Sequence, residues 1–130
     1  MTFIKNCLFC QIGSQKDNPN IIRKFKHCFA IYDKFPVNPG HVLIIPFHHT
    51  ETWFTATEDI RLDIILALHD MKSHLDHNFS PPGYNMGVNC GLVAGQTVFH
   101  LHMHLIPRYV GDMDNPRGGI RGVIPYKQKY

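Results

Sequence analysis

Histidine and apolar residues alternate along one stretch of the chain, Gln96-Thr97-Val98-Phe99-His100-Leu101-His102-Met103-His104-Leu105-Ile106-Pro107-Arg108. Side chains of a β-strand point to opposite faces in turn, so the alternation predicts a half-buried strand over the whole stretch. Its histidines would then share one face. The core face would carry the apolar residues between and beside them, Phe99, Leu101, Met103 and Leu105. A shift of one residue would bury every histidine, so the pattern also fixes the register.

The composition predicts one ordinary globular domain. The chain has 130 residues, 44% hydrophobic and 18% charged, which is enough to bury a single sizeable core. Its formal net charge of +3 favours phosphorylated ligands but is too small and scattered for a duplex nucleic acid partner. No run is apolar enough for a membrane span, and the N-terminus lacks a signal-peptide pattern. We therefore expect a cytoplasmic protein with no membrane partner.

Cys7 and Cys10 form a Cys-x-x-Cys pair near the N-terminus. In a reducing compartment such a pair is redox-active or binds a metal. A thioredoxin-like redox role would require the pair to open a helix after a strand, and neither pattern precedes it here. The segment therefore predicts a knuckle, followed by a polar loop over residues 15–20.

Short apolar runs separated by turn residues predict strands at 21–26, 28–33, 41–46 and 84–89. The run at 41–46 is continuous, which is typical of a strand buried on both faces. Short connections predict that the first three strands form an antiparallel meander. A glycine-flanked loop over 90–95 then leads into the histidine strand, and its glycines would let the backbone approach a ligand closely.

A helix is predicted from a stripe with three- and four-residue spacing: Ile60, Ile64, Ala67, Leu68, Met71 and Leu75. Thr55-x-x-Glu58 has the spacing of a capping box at its start, and the stripe runs to about Asp76. Further apolar residues, Leu62, Ile65 and Leu66, widen the surface. Two interpretations remain open for them, contact with another subunit or a broad contact with the core.

Residue spacing leaves two metal arrangements open. Histidines two positions apart can reach one zinc ion that keeps an open coordination position for catalysis. However, His100 and His104 would lie roughly 13 Å apart along the strand at about 3.3 Å per residue, too far for one ion to span easily. Alternatively, Cys7 and Cys10 would complete a closed structural zinc site with two histidines, for which His49 and His100 are candidates.

The second arrangement leaves His102 available for covalent chemistry. A neutral imidazole nitrogen can attack an electrophilic phosphorus and divide one difficult displacement into two easier ones through a phosphorylated histidine. His104 and the backbone of residues 95–97 would donate to phosphate oxygens, where negative charge builds up. The residues alone do not identify the phosphate ester.

His100-Leu101-His102-Met103-His104-Leu105-Ile106 resembles the signature of the histidine triad superfamily. The resemblance covers the chain from Cys7 to Arg108. It includes several further motifs of bacterial members: Cys7-x-x-Cys10, Pro39-Gly40-His41, Ile45-Pro46, Asn89-x-Gly91 and Gly95-Gln96-Thr97. It implies an α+β fold, with a five-stranded antiparallel sheet and one main helix packed on it, paired as a homodimer. Residues 1–130 would form one such domain, with 109–130 as a C-terminal loop and tail.

The activity that the resemblance implies is that of an enzyme, a nucleotide hydrolase or transferase. It would cleave the α-phosphate bond of nucleoside phosphoramidates or dinucleoside polyphosphates through a nucleotidyl-histidine intermediate. A purine nucleotide such as AMP is the expected ligand. The alternative is a non-catalytic nucleotide-binding or scaffold protein with vestigial chemistry. The triad's C-terminal flank resembles dinucleoside polyphosphate hydrolases, whereas the cysteine pair points partly away from them, so the substrate stays open.

Site residues follow from the same resemblance. His102 would be the nucleophile, with His104 and His100 completing the catalytic set. Asp33 would bind the ribose hydroxyls and Ile31 would lie beside the base. The full nucleotide-binding set is Ile31, Asp33, Asn89, Gly95, Gln96, Thr97, His102 and His104. One architectural zinc per chain would be held by Cys7, Cys10, His49 and His100, where His49 fits the spacing better than His48. Basic tail residues could be solvated or contact a polyphosphate: Arg117, Arg121, Lys127 and Lys129.

Overall fold

The computed structural model describes residues 2–130. Its helices and strands are α1 (Leu8–Ser14), β1 (Ile21–Lys24), β2 (Cys28–Tyr32), β3 (Val42–Pro46), α2 (Glu58–Phe79), β4 (Gly83–Gly87) and β5 (Met103–Arg108). Short 3-10 helices cover Leu92–Ala94, Gly119–Val123 and Pro125–Lys127. The predicted α+β class is confirmed, because one long helix accompanies a five-stranded sheet.

The sheet has the strand order β1-β2-β3-β5-β4, and every neighbouring pair is antiparallel. The predicted meander of the first three strands is confirmed. β5 lies between β3 and β4, and its register sets His104 opposite Leu43 on one side and Gly87 on the other. The last histidine of the motif is therefore fixed near the middle of the sheet.

Each face of the sheet packs against a different helix. On one face, strand residues such as Ala30 and Ile44 pack with the buried stripe of α2, including Ile64 and Met71. The other face presents the alternate residues, and these pack with Phe9 of α1: Phe29, Ile31, Leu43 and Ile45. All of β3 is buried, as its continuous apolar run predicts.

The histidine strand is shorter than the alternation predicts. Ladder pairing begins only at Met103, so His100 and His102 precede β5. The backbone N–H of Leu101 donates instead to the carbonyl of Thr50 at 2.7 Å, which draws this segment away from the sheet. Two side-chain predictions were therefore wrong: Phe99 is 43% exposed rather than in the core, whereas His100 is fully buried.

Helix boundaries also differ from the sequence predictions. Thr57, not Thr55, caps α2, because its side chain accepts a hydrogen bond from Ile60 N–H. The Thr55 hydroxyl is occupied by Thr50 at 2.8 Å and by Thr52. The N-terminal knuckle opens a helix, α1, which the sequence pattern did not predict, although no strand precedes the pair in the part of the chain described.

The outer face of α2 is exposed, so of the two open interpretations a broad contact with the core does not hold. Its apolar residues leave half or more of their surface open at two positions and two fifths at the third: Leu62 52%, Ile65 41% and Leu66 66%. Beyond β5, the segment predicted as loop and tail also forms two short 3-10 helices. Within residues 2–130, no helix combines the length and the apolar character needed to cross a membrane.

Candidate active site and metal cluster

Four thiol and imidazole side chains meet where α1 approaches the sheet. We call this group the thiol cluster: Cys7, Cys10, His49 and His100. One ligand atom from each residue lies within 4.8 Å of all the others. The Nδ1 atom of His100 is 3.3 Å from the Cys7 sulfur and 3.5 Å from the Cys10 sulfur, and His49 Nδ1 is 3.4 Å from Cys10. The predicted ligand set is therefore assembled in the fold.

These distances match the edges of a zinc tetrahedron. Zinc binds sulfur at about 2.3 Å and imidazole nitrogen at about 2.0–2.1 Å, which separates neighbouring ligand atoms by about 3.3–3.8 Å. The side chain of His100 is oriented by its second nitrogen, because Nε2 lies 2.8 Å from the carbonyl oxygen of Pro46 and donates to it. Its Nδ1 atom therefore presents a lone pair to the thiols. The residues fit a closed, four-ligand zinc site.

Burial has opposite effects on metal binding by the His100 imidazole and by the Cys10 thiol. It lowers the pKa of His100 to about 4, so the ring is neutral and able to ligate at physiological pH. Burial raises the pKa of the Cys10 thiol, which would keep it protonated without a cation nearby. A bound metal ion would supply the charge that favours the thiolate.

His102 lies two residues after His100 and lines a separate cleft. Its Nδ1 atom lies 2.8 Å from the backbone carbonyl oxygen of His100, which can only accept, so Nδ1 carries the proton. The lone pair is therefore on Nε2. Phe9 packs edge-on against both the His100 ring and the His102 ring, with centroids 5.8 Å and 5.2 Å apart. Thus α1 contributes both to the thiol cluster and to the setting of His102.

A second group joins a carboxylate to two imidazoles, and we call it the carboxylate cluster: Asp33, His41 and His104. The backbone N–H of Val37 donates to His41 Nδ1 at 3.0 Å, so His41 carries its proton on Nε2. That nitrogen donates to His104 Nδ1 at 2.9 Å. His104 therefore presents its own N–H, on Nε2, on the opposite side of its ring.

The two imidazoles of the carboxylate cluster are neutral at physiological pH. Burial, together with the nearby His102 and His41, lowers the pKa of His104 to about 4. Burial also lowers the pKa of His41, against the opposing influence of Asp33. A neutral chain of this kind can hold one defined tautomer and deliver a proton at its end.

A cleft of about 1140 Å³ opens on the α1 side of the sheet. Seven of the eight predicted nucleotide-binding residues line it: Ile31, Asp33, Asn89, Gly95, Thr97, His102 and His104. Its apolar part includes Phe9 and Ile12 of α1 and Leu43 of β3, while Lys34 adds a positive charge. The cleft can therefore take a ligand with a flat apolar end and an anionic end.

Gln96 is the one residue of the predicted set that does not line the cleft; its side chain is 1% exposed and hydrogen-bonded to backbone groups inside and outside the loop. Its amide accepts from Gly91 N–H at 2.8 Å and donates to the carbonyl oxygens of Glu51 and Val98 at 2.7 and 3.1 Å. The backbone N–H groups of Gly95 and Gln96 are also occupied, by Leu92 and Gly91. These donors are therefore already hydrogen-bonded within the protein.

His41 is the site residue whose chemistry the sequence pattern did not reveal. In the sequence it is part of a family motif and the first residue of a predicted strand. In the structure it is 2% exposed and hydrogen-bonded to His104. Phe9, within the cysteine pair, was likewise assigned no role. A buried histidine beside an apolar strand gives no local signal, because its partner lies 63 positions away in the chain.

The comparisons with known proteins agree with this fold. The chain matches the HIT domain over residues 15–111, a range that starts after the cysteine pair. An uncharacterized 16.1 kDa HIT-like protein of Mycoplasma pneumoniae is 36% identical over 104 residues, covering 80% of this chain and 72% of that protein. A HIT family protein of Bacillus anthracis is 36% identical, with a TM-score of 0.77 over 83% of this chain and 77% of its own. The chain belongs to the HIT, or histidine triad, family.

Other relatives carry more specific names. The AP-4-A phosphorylase of Mycobacterium tuberculosis is 31% identical over 80% of this chain, which spans 54% of that enzyme. The adenosine 5'-monophosphoramidase HNT1 of Candida albicans is 33% identical over 79% of this chain and 70% of its own length. A Zn-bound histidine triad family protein of Mycobacterium smegmatis has 29% identity and a TM-score of 0.76, covering 85% of this chain and 80% of its own.

Proposed function

We propose that the protein is a nucleotide hydrolase or transferase that cleaves the α-phosphate bond of a nucleoside phosphoramidate or dinucleoside polyphosphate. The observation that carries the proposal is the tautomer of His102, whose Nδ1–H is held by the His100 carbonyl in a cleft shared with His104. A nucleophilic imidazole needs a free Nε2 lone pair and a fixed ring. Relatives named for dinucleotide phosphorolysis and for phosphoramidate hydrolysis support the same class of reaction.

The first step forms a bond between His102 Nε2 and the α-phosphorus and breaks the bond to the leaving group. His104 donates its Nε2 proton to that departing atom. The product is a nucleotidyl-histidine, with the remaining nucleotide covalently held. In the second step water, or another acceptor in a transferase, attacks the same phosphorus and gives a proton to His104 Nε2; the bond from phosphorus to His102 breaks, and both histidines are restored.

Cleft residues take the binding roles in this proposal. Asn89 and Thr97 contact phosphate oxygens, Asp33 binds the ribose hydroxyls, and Ile31 lies beside a purine base. Gln96 holds the loop around Gly95 through its side-chain bonds. The thiol cluster would bind one structural zinc, which ties α1 to the sheet and takes no part in the chemical steps. The zinc-bound Mycobacterium smegmatis relative supports that assignment.

The decisive experiment is a His102→Ala variant assayed with adenosine 5′-phosphoramidate and diadenosine polyphosphates. Turnover should fall by about 10⁴-fold or more, since the nucleophile is lost, while AMP binding persists. His77→Ala, on the exposed end of α2, is the matched control and should retain wild-type turnover. Mass spectrometry of rapidly quenched wild-type protein should detect a nucleotidyl adduct on His102.

Unchanged turnover in His102→Ala would contradict the mechanism. Binding of AMP with no turnover of any of these substrates by the wild-type protein would instead favour the non-catalytic alternative. The ratio of kcat/KM between the phosphoramidate and the diadenosine polyphosphates then identifies the preferred substrate, because it compares their transition states directly.

We also propose that the chain acts as a cytoplasmic homodimer. Exposed apolar residues on the outer face of α2, Leu62 and Leu66, support a protein interface there. All four cysteines are free in the structure, and disulfides are rare in cytosolic proteins. Sedimentation velocity should give a dimer for the wild type and a shift towards monomer for Leu66→Asp. A monomeric wild type would contradict pairing.

A further inference from the structure

Asp33 contacts the cleft and a buried imidazole at the same time. Its side chain is 18% exposed and lines the cleft together with His104. One carboxylate oxygen, Oδ1, accepts the backbone N–H of Phe35 at 2.9 Å, which orients the group. The other, Oδ2, lies 3.5 Å from His41 Nε2. A ligand that binds Asp33 would therefore change the electrostatic environment of His41.

The proton of His41 has one hydrogen-bond acceptor and one nearby negative charge. Because Val37 N–H occupies Nδ1, the single N–H of the neutral ring is on Nε2. His104 Nδ1 lies 2.9 Å from that nitrogen and the Asp33 carboxylate lies 3.5 Å from it. His41 is 2% exposed, so water does not compete readily for the proton. The hydrogen bond to His104 is therefore made beside the Asp33 carboxylate, whose negative charge attracts the same proton.

We propose that Asp33 and His41 are a positioning pair that makes proton donation by His104 depend on the sugar hydroxyls of the substrate. The inference rests on the proposed function and extends it to substrate selection. A vicinal diol in the cleft would donate hydrogen bonds to the Asp33 carboxylate and reduce its strength as an acceptor. The His41 N–H then donates more strongly to His104 Nδ1, which makes the His104 Nε2–H a stronger donor.

The consequence is selection in the chemical step as well as in binding. A ribonucleotide would both occupy the cleft and complete the orientation of the acid. A nucleotide lacking the diol would still place its phosphate at His102 but would leave the His41–His104 hydrogen bond weakened by the Asp33 charge. Discrimination against such a substrate should therefore appear in kcat, beyond the loss of binding contacts that appears in KM.

The test compares adenosine 5′-phosphoramidate with its 2′,3′-dideoxy analogue in the wild type and in His41→Leu. The wild type should lose about tenfold or more in kcat on the dideoxy substrate. In His41→Leu, which cannot relay the effect, that kcat ratio should shrink to about threefold or less while the KM penalty remains. His41→Gln, whose amide can donate to His104, should recover part of the wild-type ratio.

Two kinetic results would overturn the inference: a dideoxy penalty confined to KM, or the same kcat ratio in His41→Leu as in the wild type. Absence of turnover with both substrates in the wild type would instead contradict the proposed function itself. The two failures are therefore distinguishable.

A second measurement avoids the variant altogether. In wild-type protein labelled with ¹⁵N-histidine, saturating AMP should move the His41 Nε2 proton resonance downfield, and saturating 2′,3′-dideoxy-AMP should leave it near its free position. Equal shifts with the two nucleotides would overturn the inference even if His41→Leu does not fold.

Discussion

The thiol cluster and the carboxylate cluster both collect histidines on the α1 side of the sheet, yet their interatomic distances differ in kind. In the thiol cluster the three measured sulfur–nitrogen separations are 3.3–3.5 Å, the spacing of ligands around one ion. In the carboxylate cluster two nitrogens approach to 2.9 Å. Imidazole nitrogens on a common tetrahedral zinc would be about 3.3 Å apart. The shorter distance requires a shared proton.

Ligand chemistry separates the clusters in the same way. Two thiols and two imidazoles are ligands that zinc prefers, and a zinc ion bound by all four would have no coordination position left for a substrate. The carboxylate cluster lines the cleft through Asp33 and His104 and is continuous with His102. Similar residue types therefore give one group suited to holding a metal ion and one suited to moving a proton.

The largest expected effect comes from removing one thiol. Cys10→Ser should abolish zinc binding and lower the free energy of unfolding by about 3 kcal/mol or more, because metal binding contributes folding free energy directly. Elemental analysis and urea unfolding measure the two quantities. Cys90→Ser, outside the thiol cluster, is the control and should keep one zinc per chain. A full zinc content in Cys10→Ser would show that the thiol cluster is not the zinc site.

Substitution in the carboxylate cluster should affect turnover and spare the metal. His104→Gln should lower kcat by about 10²–10⁴-fold, the usual contribution of a general acid, with no loss of zinc. Steady-state kinetics and elemental analysis on the same preparation test both statements. Loss of zinc in His104→Gln would mean that the two clusters are not independent.

A smaller effect concerns stability against pH. The pKa of His104 is about 4 in the folded chain, whereas an unfolded histidine titrates near 6.5. The unfolded chain therefore binds more protons between these values, and stability falls as the pH decreases from about 6.5 to about 4. The contribution should be on the order of 1 kcal/mol after allowance for solvent screening.

Urea unfolding of wild type and His104→Gln at pH 7 and pH 5 measures this contribution as a difference. Acid loss of zinc affects both proteins equally and cancels. The wild type should lose more stability than the variant between the two pH values. Equal losses would show that His104 is not held neutral by its surroundings.

Local periodicity was sufficient to predict most of the fold. The stripe in α2 and the continuous run in β3 depend on neighbours in the chain, and both elements lie close to the predicted positions. The start of β5 could not be predicted in this way. It depends on the hydrogen bond from the Leu101 N–H to the carbonyl oxygen of Thr50, a residue that is distant in the sequence. The cap of α2 depended similarly on which threonine hydroxyl was already occupied.

The thiol cluster was easier to predict from the sequence than the carboxylate cluster. The thiol cluster was predictable because a Cys-x-x-Cys pair by itself narrows the chemistry to metal binding or redox activity. The carboxylate cluster was only partly predictable, since nothing near His41 distinguishes it from the end of a buried strand. Gln96 shows the converse case, a polar residue in a motif whose side chain turns inward to hold the loop.

The atom that orients His102 belongs to the main chain of residue 100, not to its imidazole. Any amino acid at that position would provide the same carbonyl. The proton arrangement of His102, the proposed nucleophile, and the capacity to bind metal thus depend on different atoms of residue 100. Related chains could lose the cysteine pair and the ring at position 100, provided the backbone path stays the same, and still present an imidazole ready to react.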